Sequence, residues 1–246
     1  VDDATVEALA PHVSRNRPAL LRRVAGSLAL PLRPGAAAWT DELLRARCGE
    51  RRVPVRVRPS SSGRARTFGD VFVEGGRASG EASMPLRQVL TELHGPAPEV
   101  YAARISLETL PELAVDAVDP EALPFRALFG APYFEGLIMY LGAGRQVTPL
   151  HYDEQENLVF VLRGSKDFLL YPPCDSDKMY PGDFPKQFFS RVRTGEKGDY
   201  SDFPKFAQAR PWRVTVAAGE CLYLPYGWWH EVTGSDGINL TLNYWF

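Results

Sequence analysis

The stretch VTPLHYDEQENLVFVLRGSKDFLLYPP, residues 147–173, decides the fold. It contains two short runs rich in β-branched, aromatic and leucine side chains, Asn157–Leu162 and Asp167–Tyr171, and such runs are typical of β-strands. The four residues between them, Arg163–Lys166, include a glycine and predict a hairpin turn. The stretch therefore predicts a β-sheet.

Similar strand signals continue on both sides of this stretch. They lie at Trp212–Val216, Cys221–Leu224, Trp228–Val232 and Ile238–Phe246 on the C-terminal side, and at Pro18–Val24, Val53–Val57, Glu99–Ile105 and Glu135–Leu141 on the N-terminal side. Because these runs are short, closely spaced and not separated by regular helices, they favour a jelly roll or another antiparallel barrel. We predict a mainly β fold with a few flanking helices.

Two helices are predicted in the N-terminal part. Trp39–Cys48 has Thr40 as a candidate N-cap and Gly49 just beyond its end, and Pro85–Leu93 has the apolar spacing of a helix. We expect one domain over residues 1–246, in which a mixed α/β part (1–100) precedes the barrel (101–246). The segment 172–210 has no predicted strand or helix, and a segment of that length is usually functional or disordered.

Composition restricts the class of protein. The chain has 246 residues, 45% hydrophobic and 24% charged, as in ordinary globular proteins, and its 21 Gly and 21 Pro follow no collagen-like period. No apolar run reaches the roughly 18 residues of a membrane span, so no membrane association is expected. The three cysteines are too far apart and too few for a disulfide framework, which favours an intracellular location, cytoplasmic or nuclear.

Charge is unevenly distributed along the chain. Residues 1–66 contain 13 Arg, no Lys and six acidic residues, whereas the net charge of the remainder is −9. A basic patch of this kind attracts RNA or an acidic partner. However, no aromatic residues interleave with these arginines to stack on bases, and the alternation in Val53–Arg58 is typical of arginine heads that extend from a strand edge. The second interpretation is favoured, and RNA stays an alternative partner.

Two of the four histidines lie in settings that suit a metal site. His151 and Asp153 are two apart in a segment expected to be extended, so both side chains can point to one face. His230 begins another predicted strand, which can approach from across the barrel. Two imidazoles and one carboxylate form the facial triad of non-haem Fe(II) oxygenases. His12 and His94 have no carboxylate at ligand spacing and are expected to be structural or exposed.

An H-x-D pair alone is weak evidence, because a surface turn and an unrelated core histidine give the same pattern. Other catalytic patterns fit less well. The segment that starts at His230-Glu231 lacks the second histidine of a zincin motif, G-x-S-x-G is absent, and no cysteine pair has zinc-site spacing.

The last predicted strand and a lysine support a ligand cavity. The C-terminal segment alternates so that the leucines share one face and Asn239, Thr241, Asn243 and Trp245 share the other, as expected for a strand that lines a polar cavity. Lys166 is bracketed by strand residues. It is either a solvated turn lysine or, if it points inward, a cation that needs an anionic partner such as a dicarboxylate.

Together these segments carry a family resemblance. The stretches 147–173, GECLYLPYGWWHEV (219–232) and GINLTLNYWF (237–246) resemble the JmjC-type, cupin-fold oxygenases that use Fe(II), 2-oxoglutarate and O2. They are most similar to the hydroxylase branch that includes the asparaginyl hydroxylase inhibiting hypoxia-inducible factor. The pattern runs from about Tyr101 to Phe246, and the first hundred residues match loosely. The resemblance implies a double-stranded β-helix, the jelly-roll barrel of the cupins.

The resemblance also implies roles for individual residues. It implies that His151, Asp153 and His230 are the iron ligands. It implies that the distal carboxylate of 2-oxoglutarate is bound by Lys166, Thr148 and Tyr101, while Asn157, Asn243 and Trp245 line the cosubstrate pocket. The implied chemistry is decarboxylation of 2-oxoglutarate to succinate, coupled to hydroxylation of an unactivated C–H bond.

Two departures from the hydroxylase pattern modify these expectations. Phe189 precedes Ser190 where the asparaginyl hydroxylase has a polar amide that holds its target, so asparagine is not the expected target here. No helices of the kind through which those hydroxylases dimerise follow Phe246, so a monomer is expected.

The leading functional hypothesis is hydroxylation of a side chain in a protein or peptide substrate. The alternatives are hydroxylation of a modified RNA nucleoside, histone lysine demethylation and an inactive cupin-like binding module. Demethylation is less favoured, because no chromatin-reading module or zinc-binding cysteine cluster accompanies the predicted barrel.

Overall fold

A computed structural model describes residues 5–22, 31–57, 67–68, 80–133, 136–194 and 200–246. The described strands are β1 (Ala19–Leu21), β2 (Arg52–Val57), β3 (Gly80–Pro85), β4 (Val100–Ser106), β5 (Leu137–Gly142), β6 (Val147–His151), β7 (Asn157–Arg163), β8 (Ser165–Tyr171), β9 (Trp212–Ala217), β10 (Cys221–Leu224), β11 (Trp229–Gly234) and β12 (Asn239–Trp245). The described helices are α1 (Val6–Val13), α2 (Asp41–Cys48), α3 (Leu86–Leu93), α4 (Pro111–Ala114) and α5 (Arg126–Phe129), with short 3₁₀ turns at Leu107–Thr109, Pro120–Ala122, Pro173–Lys178 and Phe206–Gln208.

These strands form two antiparallel sheets. The larger sheet has the order β1-β10-β7-β12-β5-β4-β2-β3 and the smaller has the order β6-β11-β8-β9. Consecutive strands repeatedly change sheet, as in a jelly roll. The prediction of a mainly β, jelly-roll fold with few helices is confirmed.

Side-chain alternation divides the core. On β7, Leu158 and Phe160 belong to the hydrophobic cluster shared with α2, α3 and the loops behind the larger sheet. Val159 and Val161, on the opposite face, pack in a second cluster with Phe168 of the smaller sheet. The larger sheet is thus covered on both faces, and the space between the two sheets continues into the cavity described below.

The predicted hairpin at Arg163–Lys166 is wrong. β7 pairs with β10 and β12, whereas β8 pairs with β9 and β11, so the two strands belong to different sheets. Gly164 is the corner between them. Its φ is +68°, and a Cβ there would lie 2.6 Å from the carbonyl oxygen of Ile238, so only glycine fits.

The ends of α2 and α3 agree with the sequence, but α1, α4, α5, β3 and β6 were not predicted. The Thr40 side chain accepts a hydrogen bond from the Leu43 amide and caps α2, and Gly49 follows the end of that helix. α1 and β3 were missed; β3 has no β-branched residue and owes its strand conformation to pairing with β2. The predicted strands that begin near Pro18 and Glu135 extend over Arg23, Val24 and Glu135, which lie outside the described residues.

The segment 172–210 has defined structure over its described part. Met179, Val192 and Phe206 are buried and pack with Tyr171 and Trp229 of the smaller sheet. Phe189 forms an isolated bridge with His151, which brings this segment to the mouth of the barrel.

Candidate active site

The two candidate histidine ligands lie on neighbouring strands. β6 and β11 pair antiparallel, His151 is opposite His230, and the two ring centres are 4.1 Å apart. Opposite residues on paired strands project from the same face of the sheet, which explains their convergence. The expectation that the strand carrying His230 approaches from across the barrel is wrong, because β11 pairs directly with β6, the strand that carries His151. The sequence analysis did not predict β6.

Backbone carbonyls fix the orientation of both imidazoles. Nδ1 of His151 lies 2.7 Å from the carbonyl oxygen of Pro149, and Nδ1 of His230 lies 2.9 Å from that of Trp228. A carbonyl oxygen can only accept, so each Nδ1 carries the proton and each Nε2 keeps its lone pair. This is the usual arrangement of metal-binding histidines, whose second nitrogen donates to a backbone or carboxylate oxygen.

Asp153 completes the set just beyond the end of β6. Its Oδ2 lies 3.5 Å from Nε2 of His230, and one ligand atom from each of the three residues lies within 4.8 Å of the others. Burial, followed by the proximity of His151, lowers the pKa of His230 to about 4, so its imidazole is neutral at physiological pH, as a ligand must be. The donor set fits a divalent metal with open positions on one side.

The three ligands open into a cavity of about 150 Å³ between the sheets. All nine residues singled out from the sequence line this cavity: Tyr101, Thr148, His151, Asp153, Asn157, Lys166, His230, Asn243 and Trp245. Three of the four residues of the polar face predicted for the last strand line the cavity, since Thr241 does so together with Asn243 and Trp245, while Leu240 and Leu242 pack in the core behind it. The fourth, Asn239, is not in the lining and is fully buried against Gln146.

A buried cation occupies one side of the cavity. Lys166 is 3% exposed, and its Nζ lies 5.2 Å from the centre of the Tyr101 ring. Burial lowers the pKa of Lys166 to about 7, since no charged group among the described residues offsets it. The Tyr101 hydroxyl, whose pKa is raised mainly by burial, is hydrogen-bonded to Thr148. An ammonium, two hydroxyls and an aromatic ring therefore converge on one point.

Amides and an indole line the neighbouring wall. The Asn243 amide nitrogen donates to the side-chain oxygen of Asn157 at 3.3 Å, and the Thr241 hydroxyl donates to the Asn243 oxygen at 3.2 Å. Nε1 of Trp245 is buried and has no hydrogen-bond partner within the described part of the chain. A buried donor without a partner is costly, and here it lines a cavity in which a ligand can accept the bond.

A comparison with protein families assigns this architecture. Residues 5–246 match the family described as a cupin-like domain. This chain belongs to the cupin-like domain family.

Relatives of this cupin-like domain include one protein that is named a hydroxylase. It is 30% identical over 260 residues to the human bifunctional peptidase and (3S)-lysyl hydroxylase JMJD7, covering 95% of this chain and 78% of that protein. It is 36% identical over 123 residues to a zebrafish (Danio rerio) HSPB1-associated protein 1 homolog, covering 48% of this chain and 27% of that protein. A fruit-fly (Drosophila melanogaster) Jumonji C domain-containing protein 5 is 31% identical over 109 residues, which are 44% of this chain and 26% of that protein.

Several residues at the mouth of the cupin-like domain's cavity were not predicted. Arg56, Arg104 and Tyr140 line it. Phe189, which the sequence singled out as the replacement for a target-holding amide, lines it too, and its ring stacks on His151 with the ring centres 5.8 Å apart. Alternation with the buried Val53 and Val55 could have placed Arg56 on the cavity face. Arg104 could not have been placed in this way, because it has a φ of +56° within an irregularity of β4 that breaks the alternation.

The remaining histidines lie outside this group. Nε2 of His94 contacts the carboxylate of Asp41, which also accepts from Arg163 at 2.6 Å, so His94 joins α3 to α2 and has the carboxylate partner that sequence spacing did not indicate. His12 belongs to α1. Within the part of the chain that the structure describes, no helix is both long and apolar enough to cross a membrane.

Proposed function

We propose that this protein is an Fe(II)- and 2-oxoglutarate-dependent oxygenase that hydroxylates a side chain of a protein substrate and converts 2-oxoglutarate to succinate. The observation that carries the proposal is the presence, in the same cavity, of a His-Asp-His ligand set and a buried lysine that has no anionic partner among the described residues. The first suits a metal with open positions, and the second suits a carboxylate.

The metal would be held by His151, Asp153 and His230. When bound, Fe(II) in such a site supplies the activation of O2 and the oxidation of a C–H bond. The protein's own contribution is to hold the imidazoles by Nδ1 and to cover His151 with Phe189, which limits the access of water from that side.

2-Oxoglutarate would lie between the metal ligands and Lys166. Its distal carboxylate would receive the Lys166 ammonium together with the hydroxyls of Thr148 and Tyr101. Asn157, Asn243 and the unpartnered Nε1 of Trp245 are polar groups in the same wall that can orient the rest of the molecule. The cavity is enclosed on the Lys166 side, which favours a short linear dicarboxylate over a larger ligand.

A protein is the favoured substrate. A relative matched over 95% of this chain is named a lysyl hydroxylase, and shorter matches belong to proteins named for association with the protein HSPB1. RNA is less favoured, because several arginines of the basic N-terminal part form ion pairs or hydrogen bonds with other residues of the protein. Arg51 pairs with Glu112 at 2.5 Å, Arg47 pairs with Asp116, and Nε of Arg33 donates to a backbone carbonyl. The free cysteines agree with an intracellular site of action.

The test is turnover with Fe(II), 2-oxoglutarate and O2 against peptide and nucleoside panels. We expect succinate formation coupled to a gain of one oxygen atom on a peptide, located by mass spectrometry, and loss of both in His151→Ala. Oxidation confined to nucleosides would replace the protein substrate by the RNA alternative. Folded, metal-loaded protein that binds 2-oxoglutarate but never turns over would indicate a binding module.

A further inference from the structure

A buried glutamine lies behind the cavity lysine. Gln146 precedes β6 by one residue and is 1% exposed. It lies between two glycines: a Cβ on Gly142 would come within 2.8 Å of the Gln146 Cδ atom, and one on Gly234 within 2.2 Å of its amide. Both glycines thus leave the space that this side chain fills.

The Gln146 amide contacts the lysine directly. One amide atom lies 2.6 Å from Nζ of Lys166, and because an ammonium can only donate, that atom is the oxygen. The amide nitrogen then lies 3.3 Å from the carbonyl oxygen of Ala143. In this orientation the Asn239 amide is reversed as well, so that its nitrogen donates to the same Gln146 oxygen at 2.8 Å and its oxygen accepts from the Gln146 nitrogen at 3.2 Å. These contacts hold the glutamine from three directions.

A neutral acceptor at this position has a distinct consequence. The amide oxygen takes one of the three ammonium hydrogens and fixes the direction of Nζ, yet it leaves the full positive charge available. A carboxylate in the same place would neutralise Lys166 and repel an incoming anion. The Gln146 side chain thus orients the Lys166 ammonium without neutralising its positive charge.

We propose that Gln146 is a positioning residue that holds the Lys166 ammonium for the distal carboxylate of 2-oxoglutarate and so gives the site its preference for a dicarboxylate. This inference rests on the proposed function. It predicts that changes at Gln146 affect ligands with a distal carboxylate and spare those without one.

The experiment compares two ligands and three variants. Gln146→Glu keeps the shape and adds a carboxylate, Gln146→Met keeps the length and removes the acceptor, and Gln88→Glu is the matched charge control on the exposed face of α3. Dissociation constants are measured by calorimetry on Mn(II)-loaded protein without O2. The ligands are 2-oxoglutarate and 2-oxobutyrate, which has the same 2-oxo acid end and no distal carboxylate.

Gln146→Glu should weaken 2-oxoglutarate binding by about tenfold or more, and Gln146→Met by about threefold to tenfold. Binding of 2-oxobutyrate should change less than about twofold in both variants, and Gln88→Glu should match the wild type for both ligands. In turnover the loss should appear in KM for 2-oxoglutarate, with kcat largely kept.

Equal weakening of both ligands would indicate a general structural role and overturn the inference, as would unchanged 2-oxoglutarate binding in Gln146→Glu. If the glutamate variant does not fold, as judged by circular dichroism, Gln146→Met decides by the same comparison. Wild-type protein that binds neither ligand would instead contradict the proposed function, so the two failures are distinguishable.

Discussion

The two ends of the cavity are built in opposite ways. At the metal-ligand end, both imidazoles have their Nδ1 hydrogens satisfied by backbone carbonyls, so the protein alone fixes them. At the lysine end, the described residues give the ammonium a glutamine oxygen and an aromatic face but no anion, and burial opposes its charge. The first end is preorganised, whereas the second carries an electrostatic cost that only an anionic ligand removes.

The largest effect is expected from removing a ligand at the preorganised end. His230→Ala leaves one imidazole and one carboxylate. Mutating a group that only hydrogen-bonds to a metal ligand lowers metal affinity by up to about a hundredfold, so removing a ligand itself should lower it by more than that. Turnover should disappear with it. The measurement is a competition titration with a coloured chelator.

His94→Gln is the matched control, because His94 is a histidine outside the cavity. It should keep wild-type metal affinity. Equal metal affinity in His230→Ala and the wild type would mean that the histidine pair does not hold the metal.

Replacing the cation should separate binding from stability. Lys166→Met removes the group that attracts a carboxylate, so 2-oxoglutarate affinity should fall by about thirtyfold or more. The same change removes a buried charge without an anion, so the free energy of unfolding of the metal-free protein should rise by about 1–4 kcal/mol at neutral pH. Calorimetry and urea unfolding measure the two effects. A variant that loses both affinity and stability would show that Lys166 already has a compensating partner.

The stability difference between wild type and Lys166→Met should depend on pH. Burial lowers the pKa of Lys166 from 10.5 to about 7, so between these values the unfolded state binds more protons than the folded state. The penalty is complete below about pH 7 and fades as the pH rises toward 10.5. The advantage of the methionine variant should therefore shrink between about pH 6.5 and about pH 9.5 in urea unfolding. A constant difference would mean that the lysine is not desolvated.

The smallest effect is expected from a substitution in the cavity wall between the two ends, at Trp245. Trp245→Phe removes the buried Nε1 that has no partner, so stability should be unchanged or slightly higher. If 2-oxoglutarate accepts this hydrogen bond, its affinity should fall by about twofold to tenfold. Unchanged affinity would place the ligand away from this wall.

Sequence reasoning succeeded where a local pattern matched the final structure. The alternation in β12 predicted that Thr241, Asn243 and Trp245 face the cavity, because a pleated strand places every second residue on one face. It failed where long-range pairing decided the outcome. The stretch around Gly164 looks like a hairpin, but the corner it forms depends on Ile238 and Ser235 packed against that glycine.

The contacts of Gln146 and Arg104 could not have been predicted in the same way. Gln146 has no periodic signal, and its role depends on two distant glycines and on Lys166, 20 positions away. Arg104 lies in an irregular part of β4, yet its guanidinium is 5.8 Å from the centre of the Trp245 ring. The candidate metal ligands were recognisable because such ligands are restricted to few residue types, even though the strand that carries His151 was not predicted.

The most direct test is an anaerobic titration of the metal-free protein with Fe(II) and 2-oxoglutarate, monitored in the visible spectrum. Wild type should develop the charge-transfer band of 2-oxoglutarate chelated to Fe(II). The band should be absent in His151→Ala and should require far more 2-oxoglutarate in Lys166→Met. Folded wild-type protein that binds Fe(II) but shows no band at saturating 2-oxoglutarate would contradict the assignment of the two ends of the cavity.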